Sequence, residues 1–188
     1  MTGRLISSFR NFLRNEDGTA VIEFVLTFPL IIVIFCASLE SSFYMVRSVG
    51  LERSLDLVVR DLRLGLLGAV THENLKKAIC ERSAVLGSVT KCQKGMKIEL
   101  QPINTANFVM PTQPTACVDR RAPIDPAVQP SPDEYALGDS NQIMLMRVCL
   151  QTDPMFPTTV FGVRMNRTGP DGGYSIVSTS TFVNEPRK

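Results

Sequence analysis

The sequence predicts an α+β fold: one long N-terminal helix, membrane-spanning then amphipathic, packed on a small antiparallel sheet. Three observations predict it. Ala20 to Leu39 is an apolar run broken by one carboxylate, apolar residues recur at spacings of three and four from Phe43 to Leu66, and three later segments have strand character. A chain of 188 residues holds one modest domain plus an anchor. A net charge of +2, with lysines and arginines scattered, gives no nucleic-acid footprint.

The first 18 residues read as a leader. In LISSFRNFLR the apolar residues Leu5, Ile6, Phe9, Phe12 and Leu13 share one helical face, and Arg4, Arg10 and Arg14 are available to lipid headgroups. A basic juxtamembrane segment that only fixes orientation accounts for the leader equally well. Residues 19–40 follow as the transmembrane helix; at 1.5 Å per residue the apolar run spans about 30 Å, one hydrocarbon core. Arginine asymmetry puts the N-terminus in the cytoplasm and residues 41–188 on the outer side of the membrane. CASLESS resembles a signal-cleavage site, but the run exceeds the roughly 7–15 apolar residues of a removable signal. Pro29 deprives the Val25 carbonyl of its donor, which bends or locally opens the helix.

Beyond the membrane the stripe Phe43, Val46, Leu51, Leu55, Val58, Leu62 and Leu66 carries the helix to about Leu64, where Gly65 and Gly68 end it. A second helix is expected over 72–86, with Thr71 as N-cap and Leu75, Ile79 and Leu86 on one face. Strands are expected over 96–100, 143–150 and 174–183. Residues 102–132 hold seven of the twelve prolines and read as a long loop or exposed insert. Cys36 lies in the apolar run, which leaves Cys80, Cys92, Cys117 and Cys149 in the outward domain. Four cysteines allow three connectivities, and sequence order favours Cys80 with Cys92 and Cys117 with Cys149. A zinc site is the alternative, though no CxxC pair occurs.

No metal, cofactor or catalytic set is expected. The single histidine, His72, has no serine or cysteine partner in sequence, and Asp119, Asp125, Asp133, Glu134 and Asp139 read as a solvated or calcium-tolerant loop. The DGG at 171–173 is a turn before a strand.

Glu23 is the residue this reading leaves without a reason, since a carboxylate in a membrane helix costs about 2.5–3.5 kcal/mol toward the bilayer centre. Arg14 to Glu16, Gly18, Thr19-Ala20-Val21-Ile22, then Glu23-Phe24 and a long apolar helix resembles a class III signal of type IV pilins. More specifically, the chain is similar to TadE/TadF-type minor pilins (pseudopilins) of the tight-adherence (Tad, or Flp) pilus, with the closing Phe182-Val183-Asn184-Glu185-Pro186 favouring TadE. Phe24 departs from the tyrosine that many members carry. The resemblance implies a pilin-like fold and cleavage between Gly18 and Thr19 by a prepilin peptidase. It further implies partnership with other Tad pilins, minor pilins and the inner-membrane assembly platform, in a pilus used for adhesion. Glu23 would meet the Thr19 amine of a neighbour and set the register between helices, a role in which a charge pair in low dielectric is effective. The plain alternative is a first-turn acid favoured by the helix dipole. The competing protein class is an uncleaved single-pass inner-membrane protein with a periplasmic binding domain.

Overall fold

The computed structural model describes residues 18–68, 70–106, 117–120, 134–165 and 173–185. The leader, most of the proline-rich segment including Asp125 and Asp133, the first two residues of the DGG turn, and Pro186 lie outside the described residues.

Helix α1 spans Thr19–Arg63 without interruption, so the apolar and amphipathic segments are one rod. It is long and apolar enough to cross a membrane, and no residue of its apolar window is buried within the fold. The helix carries through Pro29, as is common where neighbouring turns re-satisfy the freed carbonyl. It ends as expected: Gly65 adopts φ 68°, and its amide bonds back to the Leu62 carbonyl at 3.2 Å.

Helix α2 is His72–Glu81, capped by Thr71, whose hydroxyl accepts from the Asn74 amide at 3.3 Å. It stops five residues short of the predicted end. Arg82 turns its guanidinium back to the Ala78 carbonyl and to Asp61 of α1, and Ala84–Leu86 form a separate 3₁₀ turn. Leu86 is buried all the same, which is why its periodicity resembled a continuing helix. That turn presses on Gly50 of α1, where any Cβ would collide with the Val85 side chain, so the position requires glycine despite its cost in a helix. Helix α3, Val89–Gly95, leads directly into the sheet.

The sheet comprises β1 (Met96–Pro102), β2 (Ile143–Thr152) and β3 (Tyr174–Val183), antiparallel in the order β1-β2-β3. All three predicted strands are present, the first two each two residues longer than expected. In register Ile98 faces Val148 and Met146 faces Ser180, so period-two alternation gives the sheet one apolar face. Met96, Ile98, Leu100, Met144, Met146 and Leu150 from that face pack with Leu51, Leu55 and Val58 of α1 and Leu75 and Ile79 of α2. Phe43, Val46 and Leu66 of the predicted stripe stay exposed, because the core spans only part of α1 and Leu66 lies past its end. Strand β3 rises along α1: Tyr174 at its start meets Arg47, and Glu185 just past its end meets Arg63 at 3.0 Å. A short helix, α4 (Val160–Met165), lies between β2 and β3 and packs on α1.

The far face of the sheet is also occupied. Glu99 and Arg147 sit opposite each other across β1 and β2, and pair at 2.6 Å with little solvent contact. Glu134, expected in a solvated loop, instead pairs with Lys97 at 2.8 Å. The neighbouring Tyr135 bridges Leu100 and so covers the outer edge of β1, a usual defence of an exposed strand.

Cys80 bonds Cys92, stapling α2 to α3, and Cys117 bonds Cys149, fastening the proline-rich stretch to the centre of the sheet. These are the pairs that sequence order favours, and they occupy all four sulfurs that a zinc site would need. A bond closing a loop of this size contributes about 2–4 kcal/mol to a small domain. Peptide mapping without reductant should recover the 80–92 and 117–149 pairs, and Cys80→Ser should lower unfolding stability by about that amount; four free thiols would contradict both bonds.

Candidate functional site

Two regions of α1 carry polar groups that a simple anchor does not require. The first is its N-terminal end. Gly18 is the N-cap, exposed, with nothing near the position where a side chain would begin. Glu23 is exposed on the rod, and no acid stands in the first turn. The helix-dipole explanation for Glu23 therefore weakens, because the dipole acts mainly within that turn. Phe24 stacks on Phe28 with ring centroids 4.9 Å apart, and the Thr27 hydroxyl returns a hydrogen bond to the Glu23 carbonyl at 2.7 Å. Thr19 and Glu23 lie four residues apart on one helical rod, so an amine created at Thr19 would share the face of the carboxylate.

The second region lies where the apolar run ends, and sequence reasoning missed it. Glu40 is fully buried. Its Oε1 accepts from the Met155 amide at 3.2 Å and its Oε2 from the Phe156 amide at 2.8 Å, so both carboxylate oxygens are satisfied by backbone. One turn on, Tyr44 meets Tyr174 edge-on, with ring centroids 5.6 Å apart. Arg47 donates to the Asp153 carbonyl at 3.1 Å and to the Tyr174 hydroxyl. Arg120, held near the sheet by the Cys117–Cys149 bond, grips the Asp153 carboxylate with two hydrogen bonds of 3.0 and 2.7 Å. Burial pushes the Tyr174 hydroxyl's pKa up, while Arg47 opposes the shift. Glu40, Tyr44, Arg47 and Leu51 follow at spacings of four, three and four. An acid on the stripe that becomes buried was the signal available in the sequence.

The far end is tied down by the closing residues. The buried Asn184 amide nitrogen donates to the carbonyls of Leu137, Gly138 and Asp139 at 3.2, 3.3 and 3.2 Å. Its backbone exchanges hydrogen bonds with Asn141 and Gln142, so Asn184 seals the loop that enters β2 against the end of β3.

His72 starts α2 with its ring edge-on to Tyr135, centroids 5.4 Å apart. Its Nε2 is buried without a hydrogen-bond partner. Burial, helped by Lys76 and Lys97, lowers its pKa from 6.5 to about 4, while Glu134 and the Ile98 backbone pull the other way. Among the described residues no cluster of His, Cys, Asp and Glu could hold a metal ion.

The fold and these regions define an α+β head on a single long helix able to span a membrane. No family model, curated protein or solved structure matches the chain.

Glu40→Ala would leave the two partly buried amides of Met155 and Phe156 without their acceptor. It should destabilise the head by about 2–3 kcal/mol and speed proteolysis near Met155, with Glu40→Gln milder; unchanged melting of the alanine variant would refute the clamp. The unfolded chain binds the His72 proton more readily than the folded one, so stability should fall as pH drops from 6.5 toward about 4. Thermal melts across that window should show a shallower dependence in His72→Asn.

Proposed function

We propose that this chain is a TadE-like minor pilin (pseudopilin) with a pilin-like head. A prepilin peptidase cuts it between Gly18 and Thr19, and it is needed to assemble or prime a Tad/Flp type IV pilus for adhesion. It sits in the inner membrane by a single pass, with the N-terminus cytoplasmic and the head periplasmic, and passes from there into the surface pilus. Its partners are the peptidase, other Tad pilins and minor pilins, the assembly platform and membrane lipid. Its role is structural and not enzymatic.

The observation that carries this reading is the beginning of α1 at Thr19, directly after an exposed glycine. Hydrolysis of the Gly18–Thr19 bond would free an amine at the first residue of a rigid rod and leave Glu23 one turn away on the same side. Within one subunit the two charges neutralise each other. Between neighbouring subunits the same pair fixes how far one rod slides past the next, a use of buried charge that favours register over stability. The unbroken helix through Pro29 supports the reading further: the turn weakened by the missing amide is where the rod would lengthen when it leaves lipid for a filament core.

N-terminal sequencing of the protein purified from cells with and without the peptidase tests this directly. A chain beginning Thr19-Ala20-Val21-Ile22-Glu23 should appear only with the enzyme present, and Gly18→Ala should abolish it. Glu23→Ala should be cleaved and inserted normally yet be depleted from sheared pili. A chain that begins at Met1 in both strains would favour the uncleaved membrane protein with a periplasmic binding domain, and normal recovery of Glu23→Ala in pili would remove the register role.

A further inference from the structure

We infer that residues 153–165 form a second membrane contact, a lipid-facing foot of the head that enters the boundary between headgroups and acyl chains beside α1. The inference rests on reading α1 as membrane-spanning and is independent of cleavage or pilus assembly.

Position is the first argument. Glu40 directly follows the apolar run, so it marks the level at which the helix leaves the hydrocarbon. The Glu40 carboxylate holds the Met155 and Phe156 amides by direct hydrogen bonds, which puts the loop at that same level. The contact extends downward as well. Within the apolar run, exposure falls at Cys36, Ala37 and Leu39, on the stretch that leads into Glu40, and α4 is packed on α1. The head therefore reaches past the end of the run instead of standing clear of it.

Chemistry is the second. At this level Met155 is 49% and Val163 42% exposed, apolar surface without cover in the fold. Arg164 beside Val163 is exposed, a cation placed for anionic headgroups. Phe43 of α1 is 39% exposed and Tyr44 partly buried one turn above the run, the aromatic placement favoured at a membrane interface. Two polar side chains of the loop have partners within the head: Asp153 pairs with Arg120, and the Thr159 hydroxyl donates to the Phe156 carbonyl and accepts from the Gly162 amide at 3.0 Å. These groups keep their partners at the headgroup boundary, where water still serves the exposed ones.

Rigidity is the third. A Cβ at Gly162 would collide with the Phe156 carbonyl, so α4 and the preceding loop are closely packed. Together with the Glu40 clamp this presents a preformed surface, and the two contacts would limit tilt and rotation of the head about α1.

The chain has no tryptophan, so single substitutions provide clean emitters. Full-length Met155→Trp, Val163→Trp, Ile31→Trp and Val183→Trp would each be reconstituted into phosphatidylcholine–phosphatidylglycerol vesicles, with and without brominated acyl chains, the bromine near the glycerol end for the three head variants and near the terminal methyl for Ile31→Trp. Ile31 lies inside the apolar run, and Val183 lies near the Arg63–Glu185 pair at the far end of the head. Emission from Met155→Trp and Val163→Trp should shift to the blue and fall by about half in brominated lipid, as expected for a face buried about 5–10 Å into the boundary. Val183→Trp should be unaffected. If Ile31→Trp is quenched while both loop variants keep full emission, the foot is overturned and the span stands. If Ile31→Trp also escapes quenching, the membrane span fails and the foot with it.

Discussion

The buried carboxylate of Glu40 decides where an exposed apolar rod becomes the spine of a folded head. A charge without solvent is tolerated only when its lone pairs are filled, and here two backbone amides more than a hundred residues away fill them. Those amides belong to the connection between β2 and β3, so the clamp fixes the sheet against α1 at the end next to the apolar run. Arg47 continues the join two turns higher through Asp153 and Tyr174, and Arg63 closes it at the other end through Glu185. Strand β3 is thereby held parallel to α1 along its length, and the apolar faces of helix and sheet are left to pack between these polar ends.

A head with three strands and a few short helices buries little apolar surface, and the structure compensates by cross-linking. One disulfide makes α2 and α3 a single unit over one end of the sheet, and the other anchors the segment around Arg120 to the opposite face. The polar interactions are not interchangeable. Arg63–Glu185 is half exposed on both sides and contributes little on its own, whereas Glu99–Arg147 lies almost dry between β1 and β2, where loss of one partner would strand the other. The lower edge of the fold, around residues 153–165, combines rigid backbone with uncovered Met155 and Val163, a combination suited to lipid.

Much of the architecture was legible in the sequence because its signals are local. A twenty-residue apolar run, a three-and-four repeat and period-two alternation each report on neighbours within a few residues, and they located α1 and all three strands. Thr71, Gly65 and the order of the cysteines were equally readable, since a cap, a left-handed turn and a short loop are properties of a few adjacent positions. The end of α2 was not, because Leu86 keeps helical spacing while Arg82 leaves the helix to meet Asp61 on a different element.

The sequence by itself therefore determined the rod, the three strands and the glycine-then-glutamate start that raises the question of processing. Only the tertiary structure decided that Glu40 is buried and not a solvated flank, that Glu134 pairs with Lys97, and that Tyr174 receives Arg47. The reason is sequence separation. The partners of Glu40 lie 115 and 116 positions away, and the Arg47–Tyr174 pair is 127 apart. No periodicity spans such distances, and the pairs exist only because antiparallel β2 and β3 return the chain to the same turns of α1.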